Sequence, residues 1–257
     1  MNMQPPPLSP APITPERQDY QMVYGLKACL AVFQRRPQDL VRIYYRDQRR
    51  MELSAMLKWA ATQHLPYREL DEEAMRRVAH SPHHEGVALA VKPLCYQPLN
   101  SLPQGWWLAL DNVENPHNQG ALLRSAAFFG LTAVMVGGVE PGSKVNSGAI
   151  RVSEGGAEAL ALLAAPDLAP ALEKLKSQGV TIVGLETGAK TALAQANFTT
   201  PAILVVGHEQ LGLAPQVRKI CHHLVEIPGS GGVGSLNVSV ATGIALAWLA
   251  GIKSTGR

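Results

Sequence analysis

The sequence predicts an α/β protein with a mainly parallel sheet in its C-terminal part, a smaller α/β unit before it and a disordered tail at the start. Three observations predict this. From Trp106 onward, short apolar runs alternate with helical periodicities, the pattern of buried parallel strands joined by crossover helices. A second, less regular alternation fills residues 20–94. Between the two, Pro93, Pro98 and Pro103 interrupt periodic structure, which predicts a linker over residues 95–104 and a second domain over 105–257.

The elements follow in order. Six prolines fall within the first fifteen residues and no Lys or Arg precedes Arg17, so residues 1–19 read as a disordered tail and not as an export signal. A helical stretch runs from about Tyr24 to Arg36, an extended run from Leu40 to Tyr45, and a helical pattern from Arg49 to Gln63. A short extended piece, Leu65 to Arg68, a helix opened by the acidic residues at Asp71, and a strand Val87 to Val91 complete the first unit. Beyond the linker the pattern predicts strands at Trp106–Leu110, Ala133–Val136, Thr181–Val183, Ala202–Val206 and Leu224–Ile227. Helices are predicted from Asn118 to Phe129, from Glu154, from Asp167, and from Ser235 to Ala250.

At 257 residues, 46% hydrophobic and 17% charged, the chain reads as globular with room for two domains. Its formal charge of +3 is unevenly divided: residues 20–99 hold 12 basic and 8 acidic side chains, whereas residues 100–257 hold ten of each. The positive field therefore belongs to the first unit, where Arg35, Arg36, Arg42, Arg46, Arg49 and Arg50 fall within sixteen residues. Such a cluster is either a phosphate-contacting surface or a solvated face. The longest apolar run, Leu236 to Ala250, is broken by Asn237, Ser239 and Thr242, which argues against a membrane span. Cys29, Cys95 and Cys221 are widely separated and suit a reducing compartment, with cytoplasm as the expectation.

Ligands of open α/β sheets sit beyond the carboxyl ends of the strands. Three segments at such positions are rich in polar residues and glycine: Asp111 to Gly120 running into Arg124, Gly207 to Leu213, and Pro228 to Asn237. The last contains Gly229-x-Gly231-x-x-Gly234 between a strand and a helix, the spacing of a dinucleotide fingerprint. That fingerprint needs an acidic residue about twenty positions later, and no Asp or Glu follows Glu226. A P-loop is rejected as well, because Ser235 stands where a lysine is required. The glycines instead let backbone amides approach a ligand, beside a helix start where Ser235 could cap and Asn237 could both donate and accept. Arg124 sits among Leu122, Leu123, Ala126 and Ala127, so it either snorkels or points into a site. The histidines at 80, 83, 84, 222 and 223 lack zinc-ligand spacing, and no metal is expected.

Together the three segments resemble the SpoU (TrmH-type) family of RNA 2′-O-ribose methyltransferases. Asn115-Pro-His-Asn-Gln-Gly-Ala-Leu-Leu-Arg124 looks like the family's first motif, Val206-Gly-His-Glu209-Gln-Leu-Gly its second, and Ile227-Pro followed by Ser235-Leu-Asn-Val its third. Val23-Tyr-Gly25 and His84-Glu-Gly86 look like parts of the family's substrate-binding domain. The resemblance implies a trefoil-knotted catalytic domain, S-adenosylmethionine as methyl donor, and a homodimer whose sites combine both subunits. Ribosomal RNA is favoured over transfer RNA as substrate. It further implies that Gly207, Ile227 and Leu236 touch the donor, with Glu186 as a further wall, and that Asn118, Arg124, Glu209, Ser235 and Asn237 form the reacting end. Arg124 would act either as the base or as a binder of phosphate and developing alkoxide, and the six arginines of the first unit would contact RNA. Two other classes remain as alternatives: a non-catalytic RNA-binding protein on the same fold, and a nucleotide-dependent oxidoreductase.

Overall fold

The computed structural model describes residues 19–255, with side chains to 251; the tail reading over residues 1–18 lies outside the described residues. The first unit comprises β1 (Gln21–Tyr24), α1 (Leu26–Arg35), β2 (Leu40–Tyr45), α2 (Ser54–Thr62), β3 (Tyr67–Glu69), α3 (Glu72–Ala79) and β4 (Val87–Val91). Its sheet has the order β1-β4-β2-β3, antiparallel except for the parallel pair β2 and β3. Asp71 opens α3 by accepting from the Ala74 amide, as the acidic start predicts.

The larger unit comprises β5 (Trp106–Leu110), α4 (Pro116–Phe128), β6 (Ala133–Gly137), α5 (Ser147–Val152), α6 (Gly156–Ala159), β7 (Ala161–Ala165) and α7 (Leu168–Ser177). It continues with β8 (Thr181–Leu185), β9 (Thr191–Ala192), β10 (Ala202–Val206), α8 (Pro215–Ile220), β11 (His223–Glu226) and α9 (Val238–Thr255). All seven strands pair in parallel, in the order β7-β6-β5-β10-β8-β11-β9. Successive residues of β5 face opposite sides. Leu108 and Leu110 pack with Leu122 and Ala126 of α4 and with Leu246 of α9, while Trp107 and Ala109 pack with Leu172 of α7 and Val217 of α8. Helices thus cover both faces, which is why these strands read as unbroken apolar runs.

Several elements depart from the sequence reading: it does not predict β1, β7, β9 or α8, and three further departures bear on the site. Glu154 does not start a helix: α5 begins earlier, at Ser147, capped by Asn146, and Glu154 lies in the turn before α6 with φ of 48°. The closing helix starts at Val238 and not at Ser235, because the Asn237 side chain accepts from the Ser239 amide. Residues 95–97, inside the expected linker, are docked. Gln97 exchanges backbone hydrogen bonds with Leu162 and Ala164 along β7, and Tyr96 is buried.

The buried cluster under α4 continues into the first unit through Val23, Cys29 and Val32. At this junction Arg36 makes a bidentate pair with Glu158, at 2.7 and 2.9 Å, and donates to the Lys92 carbonyl. Its side chain is 12% exposed and that of Glu158 only 2%, so Arg36 ties the two units together, and its expected role in RNA contact is corrected. Arg36→Ala would strand the Glu158 carboxylate. It is expected to cost about 3 kcal/mol in urea unfolding while leaving RNA affinity unchanged in a filter-binding titration.

Candidate active site

The carboxyl ends of β5, β8, β10 and β11 point the same way, so the segments leaving them form one rim. The β5 segment carries Asp111, which is buried and accepts from the Ala214 amide at 2.7 Å. Burial raises its carboxyl above the ordinary value, partly offset by that amide. Asp111 therefore clamps the segment that leaves β10. The β10 segment is closed on itself, with the His208 and Gly212 amides donating to each other's carbonyls at 3.0 and 2.9 Å. Its tight fold needs Gly207, where a Cβ would lie 2.2 Å from the Gly212 carbonyl carbon.

The three polar segments meet at Asn118, in the first turn of α4. Asn118 Nδ2 donates to Glu209 Oε1 at 2.7 Å, and Asn237 Nδ2 donates to Asn118 Oδ1 at 3.1 Å. Asn237 Oδ1 meanwhile accepts from the Ser239 amide and hydroxyl, so one side chain both caps α9 and ties it to α4. These partners stand 91 and 119 positions apart in sequence. Asn115 caps α4 by accepting from the His117 amide, with Pro116 in its first turn.

Beside this junction lies a cavity of about 680 Å³. Its walls include Glu186, Gly207, Glu209, Ile227, Ser235 and Leu236. Added Cβ atoms at Gly229, Gly231, Gly232 or Gly234 would meet nothing within 4 Å, so one wall is backbone facing open space, and only Gly231 requires a positive φ. Glu186 Oε2 is buried and lies 3.0 Å from Arg218 Nε, yet receives no directed hydrogen bond. The size and the open backbone wall suit a nucleoside-sized ligand. They fit S-adenosylmethionine.

Arg124 stands apart from that cavity. It lies two turns along α4, its side chain is 53% exposed, and its guanidinium pairs with Glu154 Oε1 at 2.8 Å. Exposed apolar side chains on the same helix pair are Phe128, one turn beyond Arg124 on α4, and Val240 and Ile244 on α9, which packs against α4. Within one chain, then, Asn118, Glu209 and Asn237 form a network next to the cavity holding Ser235, while Arg124 faces outward. The sequence reading missed Asp111 as a clamp and Glu154 as the partner of Arg124. An acidic residue directly after a buried strand was the available signal for the first.

The remaining arginines of the first unit divide by partner. Arg46 pairs with Glu72 at 2.7 Å, Arg49 with Glu52 at 2.6 Å, and Arg50 reaches Glu69 only at 4.0 Å. Arg35 and Arg42 are exposed and have no carboxylate partner among the described residues.

Residues 106–247 match the model of the SpoU rRNA methylase family, and residues 22–97 match that of the RNA 2′-O ribose methyltransferase substrate-binding domain. The chain is 34% identical over 239 residues to the 23S rRNA (guanosine-2′-O-)-methyltransferase RlmB of Photorhabdus laumondii, covering 88% of this chain and 96% of that protein. It is 35% identical to RlmB of Escherichia coli K12, with the same coverage. The SpoU methyltransferase AviRb from Streptomyces viridochromogenes, solved with AdoMet, shares the fold at a TM-score of 0.74 and 20% identity, over 93% of this chain and 92% of that one. No helix among the described residues is long and apolar enough to cross a membrane. The chain belongs to the SpoU rRNA methylase family and is an S-adenosylmethionine-dependent RNA 2′-O-ribose methyltransferase.

Proposed function

We propose that the chain methylates the 2′-hydroxyl of a guanosine in 23S ribosomal RNA, the reaction for which two of its relatives are named. The observation that carries a working site is the junction Glu209–Asn118–Asn237 beside the 680 Å³ cavity. S-adenosylmethionine, when bound, supplies a methyl group on a sulfonium sulfur that is already electrophilic. The chain's task is therefore alignment and charge stabilisation. Backbone at Gly207, Ile227 and Leu236 holds the donor, with Glu186 accepting from its polar hydrogens. Asn118, Glu209 and Asn237 keep the loops of this site in register, and Ser235 offers a hydroxyl toward the ribose. Arg124 contributes a positive charge to the neighbouring phosphate and to the oxygen as it loses its proton. A guanidinium stays protonated in proteins, which favours this role over that of a base.

A homodimer completes the site. Phe128 stands one turn beyond the outward-facing Arg124 on α4, and Val240 and Ile244 are exposed on α9, which packs against α4, so a second copy seated on this helix pair would cover apolar surface and bring each Arg124 to the partner's cavity. The path from β11 back to α9, across the ends of β8 and β10, suits the knotted crossing that the family resemblance implies. The first unit recruits RNA through Arg35, Arg42 and Arg50, with Arg46 and Arg49 exchanging carboxylate for phosphate. Three unpaired cysteines suit the reducing cytoplasm.

Radiolabelled methyl transfer to total RNA from a strain lacking the protein tests the reading. Label confined to 23S RNA and mapped to a ribose is the expected result. Donor binding without label would mean that the RNA lacks the substrate state or a partner is needed, and no donor binding either would favour a non-catalytic RNA-binding role.

A further inference from the structure

The turn Ser153-Glu-Gly-Gly156 is wedged between two helices that belong to different units. A Cβ on Gly155 would lie 2.9 Å from the Ala31 Cβ of α1, and one on Gly156 would lie 2.7 Å from the Leu123 carbonyl oxygen and 2.9 Å from the Arg124 Cα of α4. Only glycines allow both approaches. Between α1 and α4, Glu154 reaches each with a different oxygen: Oε2 accepts from Lys27 Nζ at 2.6 Å, and Oε1 pairs with Arg124 at 2.8 Å. Lys27 stands on α1 of the RNA-recruiting unit, and Arg124 on the helix that opens the active site.

We propose that Glu154 is a positioning residue, orienting the Arg124 guanidinium for its role in methyl transfer and anchoring it, through Lys27, to the RNA-recruiting unit. The inference rests on the reading of Arg124 as part of the reacting end. A long side chain that is 53% exposed samples many rotamers unless something holds it. Glu154 is the carboxylate at hand, and it is itself fixed by Lys27 and by the left-handed turn at φ 48°. The Lys27 hydrogen bond, together with the Arg124 and Lys27 charges, holds the Glu154 carboxyl below its ordinary value despite the opposing effect of burial. The carboxylate is therefore charged when RNA arrives.

The test is methyl-transfer kinetics with radiolabelled S-adenosylmethionine and total RNA from a strain lacking the protein, for Glu154→Gln and Glu154→Asp in the wild-type and Arg124→Ala backgrounds. Glu154→Gln is expected to lower kcat roughly ten- to hundredfold, the loss a misplaced reacting group brings, with KM for the donor unchanged. Glu154→Asp should recover part of it. In the Arg124→Ala background, followed over hours so that the residual rate is countable, Glu154→Gln should cost nothing further. A wild-type kcat for Glu154→Gln, or the same fold loss in both backgrounds, overturns the positioning role. An Arg124→Ala enzyme with a wild-type rate overturns the reading of Arg124 instead, which separates the two failures.

Discussion

Arg124→Ala is expected to lower methyl transfer to RNA by about 10²–10³-fold, the cost of removing one preorganised charge-stabilising donor. Binding of S-adenosylmethionine should be unchanged, because Arg124 does not line the cavity and, among the described residues, its carboxylate partner is Glu154. Single-turnover rates with labelled donor, set beside equilibrium dialysis of the donor alone, measure both halves. A variant that keeps most of its rate removes Arg124 from the reacting end, and a variant that loses donor binding moves it into the donor pocket.

Gly207→Ala has the second large effect, and its signature is the opposite one. An added Cβ would lie 2.2, 2.3 and 2.5 Å from the Gly212 carbonyl carbon, the Gly212 oxygen and the Leu213 amide nitrogen, all backbone atoms. The reciprocal His208–Gly212 hydrogen bonds and the Asp111 clamp on Ala214 leave that segment little room to yield. The cavity wall has to deform, so donor affinity should fall severalfold or more, together with about 1–3 kcal/mol of stability from overpacking. Isothermal titration with S-adenosylmethionine and a urea melt read the two losses. Wild-type affinity would mean that this wall does not shape the donor site.

The two variants can be combined. If each active site joins one protomer's Arg124 to its partner's cavity, a mixed dimer of the two impaired chains contains one site with both lesions and one with neither. Co-expression under two tags, followed by sequential purification, should then give about half of the wild-type rate at low donor concentration, above either parent. A mixed dimer no faster than the mean of its parents would place Arg124 and the cavity of a single chain in the same site.

Much of this arrangement was legible because polar residues and glycine cluster at the ends of apolar strands, and an acidic helix start such as Asp71 announces itself locally. What escaped was non-local. The segment Ala161–Ala165 is rich in alanine and leucine, strong helix formers, and became a strand because β6 pairs with it along one edge and Gln97 along the other. The helix Pro215–Ile220 is too short to display a period. Arg36 looked like its five neighbours in charge, and only the buried Glu158, 122 positions away, separates it from them. Arg124 was found by its motif, but its partner was not, since Glu154 reaches it only because two glycines let a turn press against α4.

The docking of residue 97 along β7 has a consequence for how copies of this chain meet. An all-parallel sheet with a bare edge invites another strand to add to it, the route to open-ended stacking. Here β7 is already occupied along that edge, and at the far side β9 is two residues long. Both margins are blunted, so strand addition is disfavoured and the proposed homodimer would form through the helical face with Phe128, Val240 and Ile244. A patch that meets its own copy across a twofold axis is used up by that meeting, so in the proposed dimer assembly would stop at two chains instead of growing into a fibre.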